Sequence, residues 1–128
     1  MRLLLDTGTF LWLINDAPQL SDRAREAIVD PDNEVFLSSV SAWEIAVKSA
    51  LGKLPLPRSA DRLVPEERER HVIESLPLDE ESTLQLVRLP RLHRDPFDRM
   101  LVCQAIVHGL AIVSADRLIT QYPVRTTW

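Results

Sequence analysis

Four short apolar runs punctuate the chain without the alternation of a half-exposed strand: Leu3–Leu5, Val35–Leu37, Val72-Ile73 to Leu76, and Leu110–Val113. Such runs read as strands covered on both faces. Val124–Trp128 is a weaker fifth candidate, expected at an edge. Helical patterns lie between them. Thr9–Asn15 is short, and Ser21–Val29 starts at a serine cap with Ala24, Ala27 and Ile28 on one face. Ser39–Leu51 repeats Val40, Trp43, Val47 and Ala50 and stops at Gly52. Weaker helical material runs from Ser59 to Arg70, interrupted by Pro65. Asp79–Leu89 and Asp98–His108 follow, the last ending at Gly109. Strands alternating with helices imply βαβ crossovers. The expected fold is a three-layer α/β/α sandwich around a mostly parallel sheet of four or five strands.

Bulk properties narrow the class. With 128 residues, 45% of them hydrophobic and 27% charged, the chain suits a single globular domain spanning 1–128. The amino terminus lacks the pattern of a signal peptide. The longest apolar tract, Met100–Val113, holds Gln104 and His108 and is shorter than the ~20 residues of a membrane span. Cys103, the lone cysteine, has no intrachain disulfide partner and is expected in the core. A cytoplasmic protein without a membrane partner is expected. The net charge of −4 argues against a surface coated for nonspecific nucleic-acid binding. Yet of 15 basic residues all but Lys48 and Lys53 are arginine, the side chain suited to bidentate phosphate contacts.

Acids recur where strands end and helices begin, the reactive edge of an open parallel sheet. Asp6 follows the first strand. Glu44 lies near the start of the helix after the second, Asp95 and Asp98 open the helix before the fourth, and Asp116 follows the fourth. Each has a local reading as a helix cap. Asp6 is placed to cap the first helix, Ser41 and Glu44 have capping-box spacing, and Asp95-Pro96 with Asp98 has the form of N-cap, N1 and N3. Asp116 is placed to cap a short helix over Arg117–Gln121. Capping does not explain why the acids gather. Right-handed crossovers bring these helix starts together at a topological switch point. Crowded carboxylates repel, and a hard divalent cation, Mg²⁺ or Mn²⁺, relieves them. No zinc-type spacing of His and Cys is present. Carboxylate-held metals supply phosphodiester cleavage.

The fragments Leu3-Leu4-Leu5-Asp6-Thr7, Ser38-Ser39-Val40-Ser41-Ala42-Trp43-Glu44-Ile45, His93-Arg94-Asp95-Pro96-Phe97-Asp98-Arg99 and Ser114-Ala115-Asp116 resemble, in order, PIN-domain nucleases. The similarity is greatest to the VapC-like toxin subgroup, which Leu51–Pro57 also resembles. The resemblance implies a parallel-sheet fold, metal-dependent RNA cleavage, a homodimer, and silencing by a cognate antitoxin protein. It assigns metal binding and catalysis to Asp6, Glu44, Asp98 and Asp116. Thr7 and Ser114 are expected to support them, with Asp95 as a cap or outer group. Ala115 departs from the polar or basic residue many relatives carry, a difference that touches substrate contacts more than metal. Arg88, Arg91, His93, Arg94 and Arg99 crowd the third motif. Two readings of Arg91, Arg94 and Arg99 stand together, RNA phosphate contacts and surface ion pairs. A general-base role for His93 is disfavoured, because metal-activated water needs none. Trp12 and Trp43 occupy apolar helical positions expected in the core or a dimer interface. An antitoxin is expected to offer Arg or Lys to the acids and an apolar helix near Trp43 and Leu51.

Rival classes remain. Asp6-Thr7-Gly8-Thr9 resembles a haloacid-dehalogenase-type phosphatase, but position 8 is Gly where that chemistry needs a second acid. A phosphoacceptor receiver domain expects a late-strand lysine that residues 114–117 lack. A catalytically silent PIN fold acting as a binding module is the non-enzyme alternative.

Overall fold

The computed structural model describes residues 1–128. In chain order the elements are β1 (Arg2–Leu5), α1 (Thr7–Ile14), α2 (Asp22–Val29), β2 (Glu34–Ser38), α3 (Ser39–Ala50) and α4 (Ala60–Arg70). There follow β3 (Glu74–Leu76), α5 (Glu80–Gln85), α6 (Pro96–His108), β4 (Ala111–Val113) and β5 (Thr126–Thr127). The five strands form one sheet ordered β3-β2-β1-β4-β5, and every pairing is parallel. The chain lays β2 and β3 to one side of β1, then crosses over to add β4 and β5 on the other. A switch point therefore lies between β1 and β4, whose carboxyl ends share an edge.

Alternate side chains of each strand feed two cores. Leu3, Leu5, Leu37 and Val113 pack with Phe10 and Leu13 of α1, Ala24 and Ile28 of α2, and Val64 of α4. Leu4, Phe36 and Ile112 face the opposite way, onto Leu101, Val102, Cys103 and Ala105 of α6. Helices thus cover both faces, as the apolar runs predict, and Cys103 is wholly buried. Each buried Leu contributes about 1.5–3 kcal/mol over its exposed state. No helix is long and apolar enough to cross a membrane.

The helix that opens the third motif starts and stops as its residues dictate. Asp95 caps α6 by accepting from the N–H groups of Phe97 and Asp98, Pro96 fills the first turn, and Gly109 closes the end at φ 66°.

Three expectations need correction. Val72 is not a strand residue: it ends α4 at φ 57° and is 85% exposed. The Ile73 N–H reaches the Arg68 carbonyl and the Val72 N–H reaches that of Glu69, a Schellman closure that places valine where glycine is usual. The apolar Val-Ile pair therefore straddles a helix end, and β3 starts at Glu74. Pro65 does not interrupt α4. It lies on the exposed face, while Leu63, Val64 and Glu67 are buried on the other. Of the two places expected for Trp43, the core is ruled out: the side chain is 60% exposed, set edge-on against Phe97 with ring centroids 4.9 Å apart. Trp12 flanks the first core and meets Trp128 at 5.7 Å.

Candidate active site

The carboxyl edge of β1 and β4 is organised by two hydroxyls. Asp6 ends β1 and caps α1 with Oδ1, which accepts from the Thr9 N–H at 2.7 Å. Its Oδ2 is free of that duty and accepts from the Ser114 hydroxyl. Ser114 Oγ in turn accepts from the Asp116 N–H at 3.0 Å, so one serine after β4 orients two acids from opposite ends of the sequence. The expected cap at Asp6 is real, whereas Asp116 caps no helix over Arg117–Gln121. Its Oδ1 accepts from the Leu118 N–H at 2.9 Å in a turn, and only the 3-10 turn Ile119–Gln121 follows, with Leu118 at its N-cap. These bonds leave one oxygen of each carboxylate for other work.

Thr7 does the same for Glu44. Its hydroxyl lies 2.6 Å from Glu44 Oε1 and 2.9 Å from Ser41 Oγ, all three residues being buried. A hydroxyl has one proton, so Thr7 gives it to the carboxylate and accepts from Ser41. The capping box expected of Ser41 and Glu44 does not form, because α3 begins earlier, capped by Ser38. Glu44 turns instead toward Thr7, and its Oε2 pairs with Lys48 one turn along. Gln104 anchors the two helices behind the site. It meets the Ser38 hydroxyl with its Oε1 and donates from Nε2 to the Pro77 carbonyl at 3.2 Å.

The tightest group is His93, Asp98 and Asp116, whose ligand atoms lie within 4.8 Å of one another. His93 Nε2 is 3.0 Å from Asp116 Oδ2 and 3.3 Å from Asp98 Oδ2. The tautomer is dictated by the chain: the Asp95 N–H points at His93 Nδ1 from 3.0 Å, so Nδ1 is the acceptor and Nε2 carries the proton. His93 is a donor wedged between two carboxylates.

Asp6 and Glu44 stand outside that tight group but within its field. Burial, then the charges of Asp95, Asp6 and Glu44, push the Asp98 carboxyl up to about 7, against a smaller opposing pull from His93. Asp6 is also raised, first by burial, with Asp116 adding to the effect against its hydrogen bonds. Lys48 is pulled up mainly by Glu44, with smaller contributions from Asp95 and Asp98. Five acids from four chain segments therefore share one field, with Lys48 and His93 as the nearby cationic or donor groups.

Sequence reasoning gives no site role to three of these residues, weighing His93 only as a general base. Lys48 is legible as the i+4 partner of Glu44. Gln104 shows as a polar residue inside an apolar tract, with nothing to say what it holds. His93 lies in a loop without periodicity, so its direction has no local signal. Arg91, Arg94 and Arg99 stay near the acids, lining with His93 and Leu92 an adjoining cleft of about 390 Å³.

The donor set suits a hard cation. The carboxylates of Asp6, Glu44, Asp98 and Asp116 offer oxygen, and Asp98 and Asp116 lie within ligand reach of one another. Asp98, raised first by burial and then by the charges of Asp95, Asp6 and Glu44, stands among negative charge that a divalent ion would relieve.

Comparison with known proteins agrees. The PIN domain family matches residues 3–124. Ribonuclease VapC16 of Mycobacterium tuberculosis is 37% identical over 62 residues, which make up 48% of this chain and 44% of that protein. The matched stretch is thus less than half of that relative's length. The crystal structure of VapBC2 from Rickettsia felis, bound to a promoter DNA fragment, superposes with a TM-score of 0.76 at 15% identity, covering 100% of this chain and 99% of that one. DNA-bound VapBC from Salmonella typhimurium gives 0.70 at 19% identity, with 99% and 97% covered. A parallel β3-β2-β1-β4-β5 sheet with acids at its switch point, matched by the family over nearly its whole length, makes this chain a member of the PIN-domain family.

Proposed function

We propose that the protein is a Mg²⁺- or Mn²⁺-dependent endoribonuclease, the toxin of a toxin–antitoxin pair. The observation that carries this reading is the gathering of acids at the switch point: Ser114 links Asp6 to the Asp116 backbone, His93 lies between Asp98 and Asp116, and the charges of Asp6 and Glu44 reach Asp98. The likeness to a mycobacterial VapC ribonuclease and the fold shared with VapBC complexes support it.

The four carboxylates would hold the cation, which supplies a water more acidic than bulk water and a positive charge against the phosphoryl oxygens. The chain's own groups set up that chemistry. Ser114 fixes the Oδ2 side of Asp6 and, through the Asp116 N–H, the loop bearing Asp116. Thr7 fixes Glu44 Oε1, leaving Lys48 to balance Oε2. His93 keeps its Nε2 proton between Asp98 and Asp116, held there through Nδ1 by the Asp95 N–H. With its ring in that tautomer His93 donates to the two carboxylates and positions them. Single-stranded or looped RNA suits the site, because only an unstacked backbone can reach an edge recessed between helix starts.

On this reading the protein is a homodimer silenced by an antitoxin in the cytoplasm. Exposed Trp43 and Leu51 on and just after α3 offer apolar area to such a partner, and the acids offer a seat for its Arg or Lys. The test is RNA cleavage by the purified protein. Activity is expected to disappear in EDTA and return with Mg²⁺ or Mn²⁺. Equal cleavage with and without EDTA would contradict the metal-dependent reading, and no cleavage under any metal would favour a silent binding module.

A further inference from the structure

The cleft beside the acids has a character of its own. Arg91 and Arg94, from the loop before α6, and Arg99, from its first turns, line it together with His93. None of the three arginines has an acid within 4.0 Å, as is true of six further arginines, but these three line one cleft to which no acid contributes, whereas Arg25, Arg58, Arg62 and Arg70 each have a carboxylate within 4.0 Å. The ion-pair reading of this cluster therefore fails. Arg99 adds a second sign: its Nε is buried and has no hydrogen-bond partner. A chain with 19 acids and a net charge of −4 has left three guanidinium groups around one cavity without a counter-charge. Like charges gathered this way repel, and a bound anion removes the cost.

The cleft is contiguous with the acid cluster. His93 forms part of its wall while its Nε2 touches Asp116 and Asp98. Arg99 follows Asp98 directly along α6. A strand lying across the acids thus enters the arginine cleft next.

We propose that Arg91, Arg94 and Arg99 form a phosphate subsite that seats a backbone phosphate of the substrate strand beside the one being cut. Guanidinium groups suit this role because each presents a planar fork to two phosphate oxygens. The subsite rests on the nuclease reading above and adds to it a minimum substrate length and a positioning device. A phosphate fixed there holds the scissile neighbour against the carboxylate edge, giving binding energy that a single dinucleotide does not supply.

The test uses the whole protein in EDTA, so that nothing is cut, with a fluorescein-labelled single-stranded RNA 12-mer over a series of salt concentrations. Arg91→Gln/Arg94→Gln, at two exposed positions, is expected to weaken binding at least about tenfold and to lower the salt slope by about 0.7 for each phosphate no longer neutralised. Arg23→Gln, on α2 near the amino edge of the sheet, removes the same kind of charge and is expected to change neither. Circular dichroism checks that each variant is folded. With Mg²⁺ restored, the double variant is expected to raise KM far more than it lowers kcat. Unchanged RNA binding in the double variant overturns the subsite even if the parent cleaves RNA. Loss of binding in the double variant, with a parent that cleaves nothing, supports the subsite and removes the nuclease reading. An acidic 12-residue peptide that binds through the same arginines more tightly than the RNA also overturns the proposal, since the cleft would then serve an acidic protein segment.

Discussion

Glu67 and Asp98 are both carboxylates drawn out of water, and their surroundings are opposite. Glu67 on α4 has Arg58 at 3.0 Å on one oxygen and both Arg70 and His71 at 3.7 Å from the other. All those partners are close to it in sequence. Asp98 meets Asp95, Asp6 and Glu44 in its field, with His93 as its one close donor. The first acid is surrounded by cationic or donor groups from its own stretch of chain, although its Oε2 has no hydrogen bond. The second belongs to a group assembled from four segments, with charge left over. Burial alone does not separate structure from function here; the sign of the neighbours does.

Neutralising each acid sharpens that difference. Asp98→Asn is expected to cut RNA cleavage by at least about 10²-fold, the scale of removing a group that acts on the developing charge. Glu67→Gln, also at a buried position, is expected to leave cleavage within about twofold. Comparable losses in both would erase the distinction.

Stability runs the other way. The Asp98 carboxyl is raised on folding from 3.8 to about 7, so the metal-free fold favours its protonated form. That contribution is fully present at low pH and is lost as pH rises through 7. Asp98→Asn removes the ionised group and is expected to stabilise the metal-free protein at pH 8 by about 2 kcal/mol, after discounting for water at the mouth of the site. The gain should shrink as pH falls toward 4. Urea unfolding in EDTA at several pH values measures it, and a destabilised variant at pH 8 would show that Asp98 is compensated like Glu67.

A smaller effect tests how the unbalanced cluster is held. Thr7→Val keeps the shape beside Glu44 but removes the proton that the carboxylate accepts. Mn²⁺ affinity is expected to fall about tenfold, the usual cost of losing an outer hydrogen bond to a metal ligand. Calorimetric titration reads it directly, and unchanged affinity would mean that Glu44 is positioned by Lys48 alone.

Much of this arrangement is legible in the chain, for identifiable reasons. Apolar runs mark β1, β2 and β4 because those strands are covered on both faces, and Gly109 marks the end of α6 because its backbone is left-handed there. Asp95-Pro96 announces a cap, and it is one. Local pattern fails where a residue's role depends on a distant partner. Val72 looks like a strand residue because the rule counts its side chain and cannot see the helix closure that turns it outward. Trp43 repeats at a helical interval yet faces outward, because Phe97, which it meets, belongs to a helix far along the chain. Glu44 has capping spacing, but its oxygen goes to Thr7 across the sheet edge. The acids themselves are readable; which hydroxyl orients each, and that His93 stands among them, required the fold.

The central claim is that these acids jointly grip a divalent ion, and diffraction from a crystal soaked in Mn²⁺ tests it most directly. An anomalous peak is expected about 2.1 Å from carboxylate oxygens of Asp98 and Asp116, with Asp6 and Glu44 around it directly or through water. A saturated soak that leaves this edge without a peak, its carboxylates still bonded only to groups of the chain itself, would contradict it.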